Sequence, residues 1–275
     1  MKISEYINTI QKQEKPFKFL ISKILIRLKI SHFFNFKYKH HMLKFYPTFL
    51  SRVLWVDPIH SHSGDEAENF IWNYLKKDDT FIDVGANIGT TTLEASKKID
   101  DYGKIFSFEP HPTIFRFLQG NILLNKCKNV ELFNFAIGSK STNIHFSDNY
   151  TDESNSVQED NVGIEIKMKT LDEIIPKEHK IDLMKIDTGS GYEKFVFLGA
   201  TETLKNTLCI NFPAIESLIV SITKTMSTFS WAFKSSSISP SQSLSIWSHI
   251  SSSGKTSPTQ LPQFPSSQVD VPSRH

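Results

Sequence analysis

Residues 80–92 read Thr-Phe-Ile-Asp-Val-Gly-Ala-Asn-Ile-Gly-Thr-Thr-Thr, and they constrain the chain more than any other stretch. The first five are apolar or β-branched around one acid, which predicts a strand. Gly85 and Gly89 bracket a Gly-x-Asn-x-Gly loop, and the residues from Thr90 on predict a helix ending near Lys98. A strand, a small-residue turn and a helix bring backbone N–H groups and a helix N-terminus towards a ligand. Glycine lets the chain bend there and lie against a cofactor. The loop is neither the Gly-x-Gly-x-x-Gly of dinucleotide folds nor a phosphate loop with Gly-Lys-Ser/Thr. With no lysine after Gly89, triphosphate binding is not expected. Taken alone, a tight turn in an α/β domain explains the loop equally well.

A second apolar run, Lys104 to Phe108, ends at Glu109, about two dozen residues past the loop, where doubly wound folds place the acid that binds ribose hydroxyls. Loop and acid together point to a cofactor carrying a ribose. Its rival is a plain acid beside a helix N-cap. Cys127 and Cys209 are the only cysteines. They indicate neither a disulfide framework nor a zinc site, which fits a reducing compartment. His40, His41, His60 and His62 match no standard ligand spacing, so no metal is expected. The net charge of +2 argues against a dedicated nucleic-acid binder.

Several segments, in order, resemble the FkbM family of S-adenosylmethionine-dependent methyltransferases. They are Asp83 to Gly89, Phe108-Glu109-Pro110, Phe135 to Gly138, Thr170 to Glu173 and Asp182 to Asp187. The resemblance covers about residues 45–205, with plausible loop lengths between motifs. It implies an α/β fold with a Rossmann-like class I methyltransferase sheet. It also implies S-adenosylmethionine as cofactor and O-methylation of a hydroxyl on a sugar or small metabolite. Asp83, Gly85, Asn87, Gly89, Glu109, Asn121 and Ala136 are the cofactor-binding residues it suggests. Asn121 equally reads as an amide on a helix surface.

Residues 181–187 predict another core strand. Period two puts Leu183, Lys185 and Asp187 on one side, with Asp187 at the carboxyl edge where such sheets bind ligands. Methyl transfer is an in-line displacement that needs the acceptor oxygen positioned and its proton removed. Asp187 is the expected proton acceptor, with Lys185 setting its charge environment and Glu193 nearby. The competing reading is a structural Lys185–Asp187 ion pair. The family pattern breaks here. Its usual glutamate after the aspartate is missing, and Thr188 to Glu193 is one residue longer. An inactive remnant that binds only cofactor or a partner is therefore the alternative function. Asp187-Thr188-Gly189-Ser190 also matches an aspartic-protease loop, but no second such aspartate exists to share a proton.

Residues 1–44 form a basic N-terminal segment. Phe17, Leu20, Ile21, Ile24, Leu25 and Leu28 fall on one helical face, and Phe19, Ile26 and Ile30 interrupt the other. The run is too short and too charged to span a bilayer. It reads as a helix packed on the domain or, alternatively, as one lying on an anionic membrane. The expected location is cytoplasmic, with membrane association only through residues 17–30. Residues 139–168 are polar and predict two short strands around a loop facing the substrate. The methyltransferase domain is expected over residues 45–212. Residues 213–275 are rich in Ser and Pro and read as a disordered tail, either foreign or out of frame or else a natural Ser-rich linker or glycosylated stalk. With no candidate for the usual edge hairpin, the sheet is expected to be incomplete at its C-terminal edge.

Overall fold

The computed structural model describes residues 15–58, 65–148, 155–158, 162–188 and 192–213, together with the backbone of 231–235 and 243–248. The first helix of the described residues is α1 (Pro16–Arg27), whose proline occupies the first turn, where no intrahelical N–H is needed. An antiparallel hairpin follows, β1 (Asn35–Tyr38) and β2 (His41–Lys44). Helices α2 (Phe49–Val56) and α3 (Asp65–Tyr74) lead into the main body. There β3 (Thr80–Val84), α4 (Thr90–Ile99), β4 (Lys104–Phe108), α5 (Pro112–Leu124) and β5 (Val130–Phe133) alternate as parallel crossover units.

Strands β6 (Ala136–Ile137), β7 (Thr142–Phe146), β8 (Val157–Gln158) and β9 (Ile164–Lys169) form a second, four-stranded sheet. The short helix α6 (Leu171–Ile174) leads to β10 (Leu183–Ile186). Helices α7 (Glu193–Leu198) and α8 (Thr201–Lys205) then lead to β11 (Cys209–Pro213).

The main sheet corrects the expected incomplete edge. Strands β12 (Trp231–Ser235) and β13 (Ser243–Ser248) lie in the stretch read as a disordered, foreign tail, and they pair antiparallel with each other. Through β13 they add antiparallel to β11. Among the described residues the sheet has seven strands in the order β12-β13-β11-β10-β3-β4-β5. It is a Rossmann-like sheet with an edge hairpin. Residues 214–230, 236–242 and 249–275 lie outside the described residues, as do His60 and His62.

Alternation within the strands builds two cores. Phe81, Ile105, Leu183 and Cys209 face α3 and α4. Ile82, Val84, Phe106, Phe108, Met184, Ile186, Ile210 and Phe212 face Leu171 of α6, Val196 and Phe197 of α7, and Leu204 of α8. Each such side chain contributes about 1.5–3 kcal/mol on full burial. The N-terminal hairpin belongs to the same body. Tyr38 Oη donates to Glu68 at 2.7 Å, Lys39 Nζ lies 2.8 Å from Glu68, and His40 Nδ1 lies 2.8 Å from Glu94. Tyr38, Leu43 and Leu54 pack with Leu93 and Leu118 beneath it.

The strand order reverses between β3 and β10. Gly85 leaves β3 with φ +81°, and a Cβ there would lie 1.9 Å from the Asp187 carbonyl oxygen. Only glycine meets both demands, the left-handed backbone and the close approach. Further along, Thr170 caps α6 by accepting from the Glu173 N–H. Asp172 caps α8, accepting from the N–H groups of Glu202 and Thr203 and the hydroxyls of Thr201 and Thr203. The Thr170–Glu173 motif is thus a pair of helix caps.

Gly85→Ala is expected to lower stability by about 2 kcal/mol or more, from the backbone penalty and the displaced end of β10, as measured by chemical denaturation. Asp172→Ala should cost about 1–2 kcal/mol. Burial pushes the Asp172 carboxyl up, but its N–H and hydroxyl donors outweigh that and hold its pKa below the usual value. The cap is therefore complete above the ordinary carboxylate range and is lost as pH falls through the lowered pKa. Asp172→Ala and the native chain should converge in stability there.

Candidate functional site

A cavity of about 290 Å³ opens at the reversal point, along the carboxyl ends of β3, β4 and β10. Its floor is the glycine loop. Gly89, at φ +96°, starts α4, and Asn87 sits at φ +51° with its side-chain Oδ1 accepting from the Ile88 N–H at 2.7 Å. The Asn87 N–H donates to Glu109 Oε2 at 3.0 Å, and the His111 N–H donates to Glu109 Oε1 at 2.8 Å. Glu109 is thus fixed against the loop, as the loop-and-acid pattern predicts. Each carboxylate oxygen keeps lone-pair capacity for a further donor. Burial pushes this carboxyl up to about 7, against the pull of the two N–H groups and of Lys185.

Behind the loop lies a buried polar knot. Asp83 Oδ2 accepts from the hydroxyls of Thr91 and Thr92, at 2.7 and 2.6 Å. Lys185 Nζ lies 3.2 Å from Asp83 Oδ1 and donates to the Gly85 carbonyl at 3.0 Å. Burial opposes the charge on Lys185, but Asp83, Asp187 and Glu109 outweigh it and hold its pKa above normal. Asp187 Oδ2 is 3.7 Å from the same ammonium, and its side chain is 53% exposed. The Lys185–Asp187 pair therefore exists, but it is the looser of the contacts Lys185 makes.

Of the residues predicted for the site, Gly85, Asn87, Glu109, Ala136, Lys185 and Asp187 line the cavity. The others stand behind it or elsewhere. Asp83 and Gly89 shape the loop from beneath. The Asn121 side chain donates to the Ile88 carbonyl at 2.8 Å and accepts from the Lys44 N–H at 2.9 Å. It clamps α5 and the N-terminal hairpin to the loop and does not line the cavity. Glu193 is buried in the first turn of α7, with Oε2 lacking a hydrogen-bond partner among the described residues, and it too is not in the lining.

Sequence reasoning missed much of the wall. Phe146, Val157 and Met168 supply an apolar side from the second sheet, next to Phe135 of the motif before β6, and Leu50 of α2 and Ala67 of α3 reach in from the N-terminal elements. Asn155 and Thr188 add polar groups, and the buried Thr188 Oγ1 has no hydrogen-bond partner among the described residues. Phe146 and Met168 were legible as strand residues of residues 139–168, the region expected to face substrate. Nothing local marks Leu50. Outside the lining, His111 Nδ1 accepts from the Thr113 N–H, so Nε2 carries the proton towards Asp148, 3.0 Å away. Among the described residues no group of three or more His, Cys, Asp or Glu side chains could hold a metal ion.

No curated protein matches this sequence. Among solved structures, the methyltransferase FkbM of Methylobacillus flagellatus KT overlaps with a TM-score of 0.47 at 12% identity, covering 63% of this chain and 44% of that one. The chain thus spans less than half the length of that protein. A putative rRNA methylase from Clostridium thermocellum gives 0.48 at 10% identity, covering 68% and 95%. A SAM-dependent O-methyltransferase from Thermotoga maritima gives 0.41 at 10% identity, covering 67% and 63%. The sequence model of the methyltransferase FkbM domain matches residues 83–240, more than half of the 275 residues. The match runs from Asp83 of β3 past the whole of β12, beyond residue 205, where the motif resemblance was expected to end. It takes in the whole glycine loop, Glu109, Lys185 and Asp187, and the chain belongs to the FkbM methyltransferase family.

Proposed function

We propose that this chain binds S-adenosylmethionine in the cavity and serves methyl transfer to a hydroxyl of a sugar or other small metabolite. The observation that carries the reading is Glu109, held by the Asn87 N–H at the mouth of the glycine loop, with acceptor capacity facing the cavity. The donor and acceptor set suits the cofactor. Glu109 would take the ribose hydroxyls, and the Ala136–Ile137 corner with Phe135 and Met168 would flank the adenine. At about 290 Å³ the cavity is near the lower end of small-molecule sites.

When bound, the cofactor supplies a sulfonium-activated methyl carbon for in-line displacement. Asp187 Oδ2 stands at the exposed end of the cavity, where it can accept a hydrogen bond from an incoming hydroxyl and take its proton as the oxygen attacks. The Lys185 ammonium lies 3.7 Å from that oxygen and sets a positive charge beside it. The apolar side made by Phe146, Val157 and Met168 keeps water from the reacting atoms. A second reading is favoured by one observation: Glu193, the next carboxylate after Asp187 in the chain, is buried outside the lining. On that reading the chain binds cofactor without turnover.

Calorimetric titration with S-adenosylmethionine should show saturable binding by the native chain. Glu109→Ala should weaken it by about two orders of magnitude, as expected for losing hydrogen bonds to a charged acceptor. Unchanged affinity in that variant would remove the proposal. Ionised Glu109 is the better acceptor, so affinity should rise as pH climbs through about 7 and then level off, while Glu109→Gln stays flat. Asp187→Asn should retain cofactor affinity and lose about a hundredfold in turnover on a hydroxyl acceptor. Cofactor binding with no product on any of a panel of sugar and small-metabolite hydroxyls would decide for the second reading.

A further inference from the structure

Helix α1 packs by the side that its apolar periodicity does not mark. Ser22 is buried and Phe19 and Ile26 are half-buried, turned towards α2, where the Arg52 guanidinium lies 5.7 Å from the Phe19 ring. The apolar stripe Phe17, Leu20, Ile21, Ile24 and Leu28 is turned outward and is between 38% and 81% exposed. Its spacing of three, one, three and four residues keeps it on one arc of the helix. Phe33 and Phe34, just beyond, are exposed as well. Burial alone would have placed this stripe inward, so its outward face needs a partner that is itself apolar.

Charge identifies the partner. From Lys15 to Val56 the sequence holds nine lysines and arginines and no aspartate or glutamate. At 100° per residue Lys18 lies along one edge of the stripe, and Lys23 and Arg27 lie along the other. An apolar centre between basic edges matches the boundary between acyl chains and anionic headgroups. A second copy seated on the same face would set like charges against each other, because a two-fold interface repeats the same patch. The helix has 12 residues, and among the described residues no helix is long and apolar enough to cross a membrane. It would lie in the plane of the interface.

We infer that α1 is a membrane-docking helix, which seats the protein on an anionic bilayer through Phe17, Leu20, Ile21, Ile24 and Leu28. The inference does not depend on the proposed activity. The full chain should co-sediment with vesicles of mixed phosphatidylcholine and phosphatidylserine, and should stay in solution with phosphatidylcholine alone. Added salt should weaken the binding. The double variant Ile21→Glu, Ile24→Glu should lower the vesicle-bound fraction at least about tenfold, while its melting temperature stays unchanged, since both side chains face solvent. Each of the following overturns the inference: no sedimentation with the anionic vesicles, equal sedimentation with both kinds, undiminished binding by the variant, or self-association that leaves vesicles unbound.

Discussion

The ammonium of Lys185 is the contact on which the rest of the site depends. It lies between the Asp83 carboxylate and the Gly85 carbonyl, joining β10 to β3 where the strand order turns back. A charge buried so deeply is costly unless it is paired and hydrogen-bonded, and removing one partner of such a pair typically costs about 3–5 kcal/mol. Asp83 spends its other oxygen on the Thr91 and Thr92 hydroxyls, so the same knot also fixes the first turn of α4. The glycine loop hangs between these anchored ends. Its shape is imposed from below by ionic contacts, and its upper surface is left for a ligand.

The parts of this arrangement that were legible in the sequence are local ones. A strand, two glycines four positions apart and a helix are neighbours in the chain, so their pattern survives in any reading of it. Glu109 was legible because the fold sets its distance along the chain as well as in space, and its bond to the Asn87 N–H bears that out. Alternation in Leu183, Lys185 and Asp187 correctly put the ammonium and the carboxylate on one side.

What escaped was set by partners distant in sequence. Asp83 looked like a ligand residue because nothing nearby reveals a lysine 102 residues later that will claim it. Asn121 was drawn towards the cofactor by analogy, whereas its amide is consumed by Lys44 and Ile88. The edge hairpin was hidden by composition. Ser243, Ser245 and Ser248 around Leu244 and Ile246 suggest a loose tail, although alternating small polar and apolar residues is also how an edge strand reads. For α1, periodicity found the apolar arc but could not say which arc would meet α2. A few half-buried contacts through Phe19 and Ile26 decided it.

The placement of β13 bears on how the chain is made. Strand β11 borders β10 on one side and β13 on the other, and β13 ends at Ser248. A ribosome delivers the chain from its N-terminus, so β3, β4, β5 and β10 are all available before β11 has its outer neighbour. During that interval the row of N–H and C=O groups along β11 is bare, next to Phe212 and Ile210, and open to strands of other nascent chains. Pausing or truncation of translation between Pro213 and Ser248 would prolong that interval, and shielding by a chaperone has its greatest value there.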